Sequence, residues 1–431
     1  MVHILIIIGA ILATLPGVFL RVTGTHLDPL VDSLIFGLAV VGAAFLLSWA
    51  AEVAQHDIPR SLALTILALI AILPEYAVDM YLAWQAASHP ERYAPLALAN
   101  MTGANRLLIG LGWPMVVLVY WLRARRLGRP TSGIAIDREQ GTEVGFLGIA
   151  TIYSFLIPFK GSLSLIDLVV LVTIFGLYAW RVAQASHIEP DLIGPARFVG
   201  DLPDTPRRLI TVMFFLIAGM VIYLVAEPFA EALIAAGVQL GFDERTLVQW
   251  LAPLASEAPE FIITSMFAWR LLGEAGLGAL VSSKVNQWTL LVGTIPLVFN
   301  IATYANGEPV PTALPLDAIQ RDDLLLTTAQ SAFAVAVLLG LHLSVVEAAL
   351  LTILFLIQFF IPETHRIITI IYLLLSACFI FYNRAQIVGL FRPPPDAARG
   401  EEPAPPEAAG SEDLRGEIAA LGTNERRSDS R

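Results

Sequence analysis

The chain holds a single cysteine, Cys378, which excludes an internal disulfide and any cysteine-based metal cluster. Charge is also scarce. Only 15% of the 431 residues are Asp, Glu, Lys or Arg, against about 25% in an ordinary soluble domain. No Gly-x-x-x-x-Gly-Lys loop is present to cradle phosphates, so no nucleotide is expected as partner or energy source. No His-Glu-x-x-His spacing or other metal-hydrolase pattern occurs, and no nucleophile–base pair stands out, so the chain does not read as an enzyme and no cofactor is expected. Basic runs with interleaved aromatics are missing, which removes nucleic acid as a partner. The net charge of −11 comes largely from loops and the polar C-terminal stretch, where it is solvated.

What is abundant is apolar sequence: 56% of the residues are hydrophobic, so most of the chain must lie in membrane lipid. About twelve stretches are long enough to span, at roughly 3–20, 31–51, 61–87, 94–122, 144–159, 163–184, 208–235, 246–271, 276–303, 324–341, 343–361 and 366–391. The first lacks the basic start of a signal peptide and reads as a membrane helix. Arg123, Arg125, Arg126, Arg129 and Arg138 follow the fourth stretch, and Arg197, Arg207 and Arg208 follow the sixth. Basic loops favour the cytoplasm, which predicts both termini there, in a plasma (inner) membrane. The 304–323 loop, with Glu308, Asp317, Asp322 and Asp323, falls on the other side.

One motif occurs twice. Pro74-Glu75-Tyr76 leads to Ala83-Trp84, and Pro259-Glu260-Phe261 leads to Ala268-Trp269, with the glutamates 185 positions apart. Each glutamate lies inside a spanning stretch, where an acid is costly unless it faces a partner, a cavity or an ion. The two stretches cross the membrane in opposite senses, so the halves are inverted, as in many secondary transporters. The expected organisation is a flanking helix in 1–30, a first repeat over 31–184, a cytoplasmic linker over 185–207, a second repeat over 208–361, a flanking helix in 362–391 and a disordered tail over 392–431.

A second paired motif follows. Thr102-Gly103-Ala104-Asn105-Arg106 stands in the first half and Ser283-Lys284-Val285-Asn286-Gln287 in the second. Each half thus offers a carboxylate, an amide and hydroxyls, which are oxygen ligands suited to hard cations. Proline before each glutamate frees backbone carbonyls that can add to the set. Asp79 lies one helical turn after Glu75 on the same face, and Thr264 takes its place in the second half. Ser256 and Glu257 precede the second Pro-Glu. Arg106 and Lys284 read as charge partners of the acids.

These paired motifs resemble the alpha repeats of the cation/calcium exchanger superfamily, as a divergent sodium/calcium exchanger-like member. The resemblance implies an all-α fold with a 5+5 inverted-repeat core and extra flanking helices. It also implies alternating access, with a transported cation bound between the two Pro-Glu helices. By position, Glu75 and Glu260 are the central ligands, Thr102 and Ser283 match the motif serines, and Asn105 and Asn286 flank the second amide or acid. The first copy, Ala71-Ile72-Leu73-Pro74-Glu75, lacks the family's Thr-Ser hydroxyls, and the second has Glu257 where a serine is expected.

The expected function is therefore a secondary cation antiporter. Sodium/calcium exchange and proton-coupled sodium or calcium exchange both fit the ligands. A passive cation channel would need an unbroken polar stripe along several spans, which is missing. A membrane scaffold would tolerate neutralisation of both glutamates. The expected partners are inorganic cations and membrane lipid.

Overall fold

The computed structural model describes residues 2–54, 73–136, 140–184, 192–241 and 244–384. The 392–431 stretch, the start of the third expected span and most of the expected linker's first half lie outside the described residues. The helices in chain order are α1 (Val2–Thr23), α2 (Pro29–Ala54), α3 (Leu73–Ala86), α4 (Pro90–Leu107), α5 (Trp113–Arg126), α6 (Gly141–Ser154), α7 (Leu156–Lys160) and α8 (Leu165–Val182). The second half follows as α9 (Gly194–Gly200), α10 (Asp204–Leu240), α11 (Glu244–Trp269), α12 (Gly273–Asn286), α13 (Val292–Ala305), α14 (Ala318–Leu338), α15 (Val345–Phe360) and α16 (His365–Tyr382).

The protein is an all-α, multi-pass membrane protein. Among the described residues, eight helical runs are long and apolar enough to cross a bilayer, and Val345–Phe360 is a shorter apolar helix. Helix lies in each of the twelve expected stretches, in the third over Leu73–Ala86. The expected polar linker is not helix-free, because α9 occupies Gly194–Gly200 and α10 begins at Asp204. Pro195 sits in the first turn of α9, where a missing N–H costs nothing.

The inverted repeat is visible in local geometry. α4 and α12 each run into a π turn, at Leu108–Gly112 and Gln287–Leu291, before continuing as α5 and α13. A π turn widens the helix and shifts the side chains that follow, a distortion frequent at functional sites. Each lies within three residues of a motif asparagine, Asn105 or Asn286. Two short antiparallel ladders tie the halves together. β1 (Gly133–Ala135) pairs with β4 (His342–Ser344), and β2 (Ser162–Leu163) pairs with β3 (Leu314–Pro315). Each ladder takes one strand from each half. The helices that follow β2 and β4 start alike. The Asp167 carboxylate accepts from the Ser164 N–H at 2.6 Å, and the Glu347 carboxylate accepts from the Ser344 N–H at 2.7 Å.

α10 packs mainly on α2, α14 on α16, and α11 on α4. The last contact sets the position of the site. A Cβ built on Gly103 would lie 1.8 Å from the Gln249 carbonyl oxygen, so α4 and α11 cross at a distance only glycine permits. Gly103→Ala should force the helices apart and cost at least about 1–3 kcal/mol. Thermal unfolding of the purified protein in detergent measures this, and an unchanged midpoint contradicts the packing described.

Candidate functional site

α3, α4, α11 and α12 converge in the centre of the bundle. Glu75 stands in the first turn of α3 and is 2% exposed, and neither of its oxygens meets a hydrogen-bond partner. α11 sends Glu257 and Glu260 toward it. Glu257 is buried and interacts electrostatically with both Glu75 and Glu260. Its Oε1 accepts from Gln287 Nε2 at 2.5 Å, while its Oε2 has no partner. Glu260, partly exposed, accepts from Ser283 Oγ at 3.1 Å. The acid found where the family motif has serine is therefore the shared neighbour of the two Pro-Glu acids. Among the described residues, no three His, Cys, Asp or Glu side chains are arranged as a metal cage. A cation held here would complete its shell with amide, hydroxyl, backbone or water oxygens.

The amides and hydroxyls are unevenly available. Asn105 and Lys284 meet across the two halves, with Lys284 Nζ donating to Asn105 Oδ1 at 2.6 Å and lying 4.3 Å from the Trp288 ring centroid. Lys284 is fully buried and its charge also acts on Glu75. Asn286 Oδ1 and Gln287 Oε1 are buried without partners. Thr102 and Thr264 turn their hydroxyl protons onto their own helices, at Leu98 O and Glu260 O, both 2.7 Å away. Ser256 does the same toward Pro253 O at 3.1 Å. These hydroxyls keep only lone pairs for another ligand.

Asp79 is fully buried beneath Glu75 and accepts from Asn100 Nδ2 at 2.8 Å. Asn100 was not singled out in the sequence, although an amide inside an apolar run was the available signal. Glu231 of α10 accepts from Tyr81 at 2.5 Å and from Tyr93 at 2.7 Å, which fixes α10 to α3 and α4.

Arg106 departs from expectation. It does not pair with the Pro-Glu acids. Its guanidinium lies 5.0 Å from the Trp250 ring centroid and 3.9 Å from the carboxylate of Asp323 on α14. Adjacent helical residues point about 100° apart, so Asn105 and Arg106 serve different faces of α4. Asp323, expected in an acidic loop, is instead 3% exposed inside the first turns of α14. It also accepts from Arg245, from Gln249 Nε2 at 3.2 Å, and lies 3.1 Å from His365 Nδ1. One carboxylate thus joins α4, α11, α14 and α16. Asp323→Ala would strand two buried or half-buried guanidiniums and should cost about 3–5 kcal/mol. Retention of the monomer peak after heating measures it, and heat resistance equal to wild type contradicts the role.

A family model described as sodium/calcium exchanger protein matches residues 30–183 and 210–362. The crystal structure of the H+/Ca2+ exchanger CAX is similar at 42% sequence identity and a TM-score of 0.85, covering 90% of this chain and 97% of that one. Native YfkE aligns at 15% identity and a TM-score of 0.58, over 85% of this chain and 99% of that chain. The sodium-calcium exchanger NCX_Mj, soaked with 100 mM Na+ and 10 mM Sr2+, aligns at 17% and 0.51, over 76% and 96%. The last two share the fold. No curated protein sequence matches the chain.

Proposed function

The chain belongs to the sodium/calcium exchanger protein family, and from that membership we propose that it exchanges calcium for protons across the membrane. Cation antiport follows from the family and from the likeness to an H+/Ca2+ exchanger over nearly the whole chain. Proton coupling is supported above all by the triad Glu75, Glu257 and Glu260. Three carboxylates in a space of low dielectric are too costly to leave charged together without a compensating cation. They therefore hold a divalent cation or protons, and the two cargoes displace one another. Lys284, beside Glu75, offsets part of the carboxylate charge when its amine is protonated, which lowers the demand for a second bound metal cation.

Glu75 and Glu260 are the principal cation ligands, with Glu257 as the shared proton carrier. Ser283 and Gln287 orient Glu260 and Glu257. Asn105, Asn286, Thr102, Thr264 and Ser256 supply neutral oxygens around them. Asp79 sets the charge beneath Glu75, and Lys284 is its charge partner. The two repeats, 31–184 and 208–361, rock about this centre so that it faces one side at a time. The basic loop at Arg123–Arg129 supports a cytoplasmic location for both termini, in a plasma-membrane protein.

In proteoliposomes, a pH gradient alone should drive calcium uptake and the gradient should dissipate as calcium moves. Sodium should not replace protons. Glu75→Gln or Glu260→Gln should reduce uptake at least about 100-fold, the scale of losing an essential charged ligand or proton carrier. Uptake driven by sodium and indifferent to pH would overturn proton coupling. Full uptake in both variants would overturn the site.

A further inference from the structure

A groove of about 640 Å³ lies between α5 and α11 on the outer surface of the bundle. Met115 and Val119 of α5 and Ile262 and Met266 of α11 form its walls, and Trp269 and Arg270 close one end. At that end Arg123 and Arg126 both lie over the exposed Trp269 ring, at 5.0 and 5.6 Å from its centroid. Among the described residues, Arg123, Arg126 and Arg270 take part in none of the ion pairs. Ser265 Oγ, in the groove lining, is buried without a hydrogen-bond partner.

The chemistry of the two parts asks for one kind of occupant. The walls are apolar and face lipid, so they accept an acyl chain. The end presents the guanidiniums of Arg123 and Arg126 over an indole, with Arg270 beside them in the groove lining, which suits an anionic headgroup and not a neutral one. A zwitterionic lipid would bring an ammonium to the same place. Arginine spread evenly along a membrane boundary would attract acidic lipid without a groove, but here two arginines converge on one ring above an apolar channel. We propose that this groove is a binding site for an anionic phospholipid, held by its phosphate at Arg123, Arg126 and Arg270 and by its chain against Met115, Val119, Ile262 and Met266. Its chain lies on the outer face of α11, the helix whose other face carries Glu257 and Glu260. The assignment does not depend on which ion the protein carries.

Native mass spectrometry of the full chain tests it, after equilibration in detergent with equal amounts of phosphatidylglycerol and phosphatidylcholine. Wild type should retain phosphatidylglycerol over phosphatidylcholine at least about five-fold, since each arginine near a headgroup is worth about 1 kcal/mol. Arg123→Gln/Arg126→Gln/Arg270→Gln should bring the ratio close to one. Val119→Trp, which fills the groove and leaves every charge in place, should also lose the bound lipid. Size-exclusion profiles of both variants establish that they remain folded. Equal retention of the two lipids by wild type overturns the proposal. So does a preference that survives Val119→Trp, because it would then belong to surface charge alone.

Discussion

Three carboxyl groups drawn from opposite halves of the chain share one water-poor space, and the cost of their charge governs how the surrounding helices are built. Glu75 arrives from α3, Glu257 and Glu260 from α11. The Gly103 crossing lets α11 approach α4 closely, and the π turns after Asn105 and near Asn286 leave the two halves meeting through side chains. Lys284 bridges that seam from α12 to Asn105. A cation or protons must balance what Lys284 does not. A site of this kind cannot be emptied cheaply, and on the proposed function that cost is what enforces exchange.

Two buried polar networks lie apart among the described residues. One is the carboxyl centre, where several oxygens lack partners. The other gathers around Asp323, which ties α4 and α11 to α14 and α16 through Arg106, Arg245 and His365. The first network has unmet capacity and suits changing occupants. The second draws two guanidiniums onto one buried carboxylate and suits a fixed joint. α4 and α11 belong to both, with different faces given to each, so the carboxyl centre sits on helices that are braced elsewhere. The short ladders β1–β4 and β2–β3 brace the same halves at two further points.

Much of this was legible in the sequence because membrane burial makes every acid informative. The repeated Pro-Glu, the hydroxyl-amide motifs and the opposite crossing sense pointed to the inverted fold and to the central helices. Side-chain destination was harder to read. Arg106 follows its motif asparagine and Lys284 precedes its own, and one goes to Asp323 while the other goes to Asn105. The choice depends on helix crossing, which a one-dimensional pattern does not carry. Asp323 read as a loop acid because the capping Asp317 that starts α14 lies six residues earlier, inside what looked like one acidic turn. Asn100 was hidden for a similar reason, since its partner Asp79 lies on a different helix.

Proton release on calcium binding probes the shared-carboxyl centre most directly. Calcium added to the purified protein in weakly buffered detergent solution should acidify the medium. Glu257→Gln should release fewer protons than wild type, because one shared carrier is gone. Calcium binding that leaves the pH unchanged in wild type, with an affinity that does not vary with pH, would contradict the account.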